Sequence, residues 1–204
     1  MTNILKPCFR PPIAEIGQAA ELLSQAVDAH LAGDRYRAAV LIRQADMPVI
    51  AQWIESIIGK SSPWVRLAPV LELVLPKEQR EPARMPNAAV KAALLQRDGY
   101  HCRFCGIPVI RREIREKIGK AYPDALRWGK RNAERHAAFF AMWLQYDHLR
   151  PHSKGGGNEL DNIAITCAAC NYGRGGYSLT DVGLEHPFKR LPVISNWDGL
   201  ERFE

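Results

Sequence analysis

Four cysteines set the strongest constraint on how this chain can fold. They come as two pairs, Cys102-x-x-Cys105 and Cys167-x-x-Cys170, each in a turn-like stretch. The first reads Tyr100-His101-Cys102-Arg103-Phe104-Cys105-Gly106 and the second Thr166-Cys167-Ala168-Ala169-Cys170-Asn171. A C-x-x-C turn aims two sulfurs at one centre, and two such turns complete the tetrahedron that Zn²⁺ favours, at about 2.3 Å per Zn–S bond. Met1–Pro12 carries Lys6 and Arg10 but no apolar core of a secretory signal. A reducing, cytoplasmic setting is therefore expected, and disulfides are disfavoured there. Four thiolates close the coordination shell, so this zinc should hold the fold and perform no chemistry. The fifth cysteine, Cys8, stands alone in a Pro-rich stretch and reads as a bystander.

The 204 residues are enough for one or two domains with a sizeable core. Hydrophobic content of 47% with 25% charged residues excludes wholesale disorder. No apolar run approaches the ~18 residues of a membrane span. The net charge is +6, and residues 97–135 alone hold an excess of that size, while residues 136–204 are acidic overall. A basic segment attracts polyanions, most commonly nucleic acid. On charge alone a solvated helical face explains it equally well.

Residues 1–60 read as an N-terminal helical region. Ile16, Ala20, Leu23, Val27 and Leu31 recur at helical spacing before Gly33, and Asp34 can cap a second helix. Val49, Ile50, Trp53, Ile54, Ile57 and Ile58 form a third apolar stripe ending at Gly59. These stripes read as packed core, and they also fit self-association or a partner protein. Residues 61–87, with five prolines, read as a connector, with a short strand possible over Val70–Leu75. Asn87 should cap a helix over Ala88–Arg97. Residues 88–204 then form one unit carrying a helical insertion over 107–146, with helices at Ile110–Ile118 and Asp124–Leu144. Leu179–Glu204 reads as an irregular tail.

The richest chemistry lies between Asp147 and Arg174. Asp147-His148 precedes Gly155-Gly156-Gly157, then Asp161-Asn162, a short strand Ile163–Thr166, and the second cysteine pair followed by Asn171. A carboxylate is a hard ligand suited to Mg²⁺, and an imidazole can act as a general base near neutral pH. The ordered set Arg97-Asp98-Gly99-Tyr100-x-Cys102-x-x-Cys105-Gly106, Asp147-His148-x-x-Pro151, Gly155-Gly156, Asp161-Asn162 and Cys167-x-x-Cys170-Asn171 resembles the HNH endonuclease family. The resemblance implies an α+β, mostly helical chain built on a ββα-metal core. It implies a DNA endonuclease in which His148 deprotonates water and Asn162 braces the loop between two strands. Asp147 and Asn171 would bind a catalytic Mg²⁺ or Mn²⁺. Asn171 stands where the last motif His is usual, making this an H-N-N variant. Gly173, Gly175 and Gly176 should keep the last helix of the unit very short.

Arg150, Lys154 and Arg174 are candidate phosphate contacts, and Arg111, Arg112, Arg127, Lys130 and Arg131 of the insertion are candidates for wider DNA binding. His152 is a candidate ligand or substrate contact. His101, His136 and His186 read as structural. Two other functions fit the same residues: an RNA-cleaving nuclease, and a zinc-stabilised DNA-binding module silent without a partner. Family analogy alone points to phage defence as the setting.

Overall fold

The computed structural model describes residues 10–59 and 74–204. Cys8, Pro63, Pro69 and most of the expected Val70–Leu75 strand lie outside the described residues. Three helices come first: α1 (Ala14–Leu31), α2 (Arg35–Gln44) and α3 (Pro48–Ile58). Asp34 caps α2 by accepting from the Arg37 N–H, and Pro48 opens α3 with φ already set for a helix. Most residues of the apolar stripes are buried, but Leu31 and Val49, at the edges of their stripes, are exposed rather than packed as expected. Ile16, Ala20, Leu23 and Val27 of α1 and Ile50, Trp53, Ile54 and Ile57 of α3 are all buried. Burying each large side chain contributes roughly 1.5–3 kcal/mol.

Next come α4 (Ala88–Asp98), capped by Asn87 as its sequence predicts, and α5 (Arg112–Ala121). The expected long helix over Asp124–Leu144 does not form. Residues 122–136 run irregularly with one 3-10 turn at Asn132–Glu134, followed by the short α6 (Ala137–Ala141). Pro123 and Gly129 weaken helix there, and a distant carboxylate captures the backbone. Asp46, between α2 and α3, accepts from the Ala137 N–H at 2.6 Å and pairs with Arg127 at 2.6 Å. His136, fully buried, hydrogen-bonds the Ile42 carbonyl at 2.8 Å. These contacts fasten the N-terminal helices to the rest of the chain.

The Asp-His pair itself forms the end of a strand. β1 (Leu144–His148) pairs antiparallel with β2 (Ile163–Cys167), and α7 (Ala168–Arg174) follows β2 directly. The result is a mixed fold, mostly helical, with one small two-stranded sheet among the described residues. α7 has seven residues and ends at Gly175 with φ of 59°, in keeping with its glycines. The tail holds only 3-10 turns, at Thr180–Val182 and Pro187–Lys189. Among the described residues no helix is long and apolar enough to cross a membrane.

Candidate functional site

The two cysteine pairs meet. The first turn closes through Cys102 N–H to Ile107 O at 2.9 Å and Gly106 N–H to Cys102 O at 2.8 Å, with Gly106 at φ of 79°. That left-handed backbone suits glycine. The Arg103 N–H then donates to Ile165 O at 2.9 Å, which docks the turn on β2. Asp98, buried at the end of α4, holds the same junction by accepting from the Ile165 N–H at 3.0 Å and pairing with Arg97. Cys167 ends β2, and its sulfur accepts from the Cys170 N–H. The four sulfurs lie within 4.8 Å of one another, with Cys105 and Cys167 3.6 Å apart. Tetrahedral zinc at about 2.3 Å per bond sets sulfurs about 3.8 Å apart, so the donor set and its spacing fit Zn²⁺.

The Asp-His pair stands at the end of β1, beside Arg174, the last residue of α7. Asp147, His148, His152, Asn171 and Arg174 line one cleft of about 660 Å³. Asn171 donates from Nδ2 to Gln145 Oε1 at 3.3 Å, which ties its amide to β1. His148 is 8% exposed, and its Nε2 lies 3.1 Å from Asn158 Oδ1. Burial holds its pKa below the ordinary histidine range; the neighbouring His152 and Arg84 add to that, while the Asn158 bond and Glu81 oppose it. A ring with a lowered pKa is neutral near pH 7 and able to accept a proton.

The loop between the strands is closed by Asn162. Its Oδ1 accepts from the Arg150 N–H at 2.8 Å, and its Nδ2 donates to Gly157 O at 2.8 Å and Arg150 O at 3.3 Å. Glycine is required beneath it, because a Cβ at Gly156 would collide with the Arg150 carbonyl and crowd Asn162 Nδ2. Asn162 therefore braces the loop from behind and does not line the cleft with His148.

The basic candidates are placed differently from their sequence-based roles. Arg174 is 1% exposed. Its guanidinium forks onto both oxygens of Asp147 and also donates to His148 O, Leu149 O and Tyr177 O. Lys154 is 3% exposed and pairs with Asp181 at 2.7 Å. Neither offers a cation to a phosphate, because each compensates a buried carboxylate. Arg150 is exposed, but it lines a separate depression behind the loop. In the insertion, Arg111 pairs with Glu201, Arg112 with Glu116, Arg127 with Asp46 and Arg131 with Glu134; Lys130 is exposed. The insertion's charge is thus largely matched by acids, some from distant segments. Arg115 is buried, with its guanidinium 3.7 Å over the Trp128 ring. The structural histidines find partners as expected: His101 with Ser195, His136 with Ile42 and His186 with the Phe188 N–H.

The composition of the connector gave no sign of its role. Lys77, Arg80, Glu81 and Arg84 form one wall of the His148 cleft. Two hydrogen bonds stitch this wall to the motif loop, the backbone bond from Leu75 N–H to Ser153 O and the side-chain bond from His152 Nε2 to Glu81 O, both at 2.8 Å. Only the density of charge among its prolines sets this stretch apart in the sequence.

Residues 132–175 match the HNH endonuclease family model. The chain carries an HNH endonuclease domain. No curated protein and no solved structure matches the chain. The HNH match contains Asp147, His148, Asn162, Asn171 and the second cysteine pair, so the cleft's central residues all fall inside it. The first cysteine pair and the connector wall lie outside it. The four-sulfur site joins one cysteine pair inside the match to one that precedes it.

Proposed function

We propose that the HNH domain is a divalent-metal-dependent endonuclease hydrolysing DNA phosphodiesters, with His148 as general base. The observation that carries this reading is the shared cleft in which Asp147, a neutral His148 and Asn171 meet. The carboxylate of Asp147 and the amide oxygen of Asn171 make a hard donor pair suited to Mg²⁺ or Mn²⁺. Such an ion supplies charge neutralisation at the leaving oxygen.

The protein's own residues do the rest. His148 takes the proton from a water attacking phosphorus, a step worth typically about 10²–10⁴-fold. The products would carry a 5′-phosphate and a 3′-hydroxyl. Asn162 keeps the loop after His148 in one conformation. Cys102, Cys105, Cys167 and Cys170 hold a structural Zn²⁺ that joins the α4 turn to β2 and α7. Substrate phosphates meet the exposed Lys77 and Arg84 of the connector wall rather than Arg174 or Lys154.

The test is a cleavage assay on duplex DNA, single-stranded DNA and structured RNA, each with Mg²⁺, Mn²⁺ or Zn²⁺. Cutting of DNA with Mg²⁺ or Mn²⁺ supports the proposal. Cutting of RNA alone overturns the substrate and keeps the chemistry. Tight DNA binding without cutting under any metal leaves a binding module instead.

A further inference from the structure

The cleft contains a polar chain that none of the motif residues accounts for. Asn158 sits in the loop between β1 and β2, and its side-chain amide has its two ends committed to different partners. Nδ2 faces two groups that can only accept, the carboxylate of Glu81 at 3.4 Å and the carbonyl of Ala83. The Asn158 backbone N–H donates to the other Glu81 oxygen at 3.0 Å. An amide flip would turn Oδ1 toward these two acceptors and leave them without a donor. Oδ1 therefore points the other way, to His148 Nε2 at 3.1 Å. Oδ1 only accepts, so in the neutral ring Nε2 carries the proton and Nδ1 keeps its lone pair.

We propose that Glu81 and Asn158 are positioning residues that lock the ring of His148 through a Glu81–Asn158–His148 hydrogen-bond chain, leaving Nδ1 as the proton acceptor. The inference deepens the nuclease reading and rests on it for its catalytic meaning. It gives the connector a specific task, because Glu81 reaches the base from a segment outside the HNH match. The same segment holds the second ring of the cleft. Glu81 O accepts from His152 Nε2 at 2.8 Å, and the His148 and His152 rings lie 5.9 Å apart. The wall thus fixes both imidazoles at once. A base whose ring rotates freely loses alignment with the attacking water, and misplacement of about 1 Å can cost on the order of 10²-fold in rate.

The experiment uses the full chain labelled with ¹⁵N-histidine, with His148 assigned through His148→Gln. Wild type should show a slowly exchanging Nε2–H proton on His148. Asn158→Ala should lose that signal and lower kcat roughly 10²-fold, with KM and the thermal midpoint unchanged. Asn158→Asp keeps an acceptor oxygen but removes the donor to Glu81 and Ala83, so the signal should be weakened but not lost. Glu81→Gln, which never touches His148, should weaken the signal and lower kcat in the same direction by a smaller factor. Persistence of the protected Nε2–H in Asn158→Ala, or an unchanged kcat there, overturns the proposal. A wild type that shows the expected spectral pattern yet cuts no nucleic acid overturns the nuclease reading and leaves the ring lock standing.

Discussion

Replacing Arg174 by alanine separates two accounts of that residue. As a phosphate contact it would lie at the surface, and its loss would weaken nucleic-acid binding with little effect on folding. In the structure its guanidinium is 1% exposed and forks onto Asp147, which is itself 4% exposed. Removing one member of a buried pair leaves an uncompensated charge and costs roughly 3–5 kcal/mol. That is a large share of the about 5–15 kcal/mol that stabilises a typical domain. For a chain of this size each kcal/mol shifts the midpoint by about 2–4 °C, so Arg174→Ala should melt roughly 6–20 °C lower. The double variant Arg174→Met with Asp147→Asn removes both charges and should recover part of the loss. Thermal unfolding followed by circular dichroism, at matched metal content, gives the answer. A midpoint within 2 °C of wild type, together with a reduced salt dependence of DNA binding, would refute the buried-pair account.

Other predictions follow from the same contacts. Metal analysis should find one zinc per chain, unchanged in His148→Ala and lost in Cys102→Ser, which should also unfold more readily because metal binding contributes folding free energy. In salt titrations of DNA binding, Arg84→Ala should reduce the slope of log K against log salt by about 1, whereas Arg131→Ala, already paired with Glu134, should leave it unchanged. Stability should fall as the pH drops below about 6.5. Burial lowers the pKa of His136 below the ordinary value, although the nearby Asp46 opposes this. The unfolded chain therefore takes up a proton near pH 6.5 that the folded chain resists, and the stabilising contribution is complete only above that pH. His136→Gln should reduce the slope of stability against pH below that point by up to about 1.4 kcal/mol per unit, read from urea unfolding.

Local signals in the sequence carried a specific part of this molecule. Asp34 and Asn87 cap the helices their positions predict, because capping depends on residues three apart. The spacing of the four cysteines anticipated a common centre, and the glycines after Asn171 anticipated a seven-residue α7. What escaped the sequence depends on partners remote along the chain. The Asp124–Leu144 helix gives way to irregular backbone held partly by Asp46, far upstream. Lys154 and Arg174 resemble free cations until Asp181 and Asp147 are seen against them. Over its described residues, 74–87, the connector holds one 3-10 turn at Lys77–Gln79, and proline content carries no information on where such a segment packs. That is why Glu81 and Arg84 were missed as neighbours of His148.

The most direct test of the central claim compares wild type with His148→Ala on supercoiled plasmid DNA with Mg²⁺ or Mn²⁺, at equal zinc content and equal thermal stability. The account predicts nicking or linearisation by wild type and a loss of at least about 10²-fold in the variant, with DNA binding retained. Equal cleavage by the two proteins would contradict it.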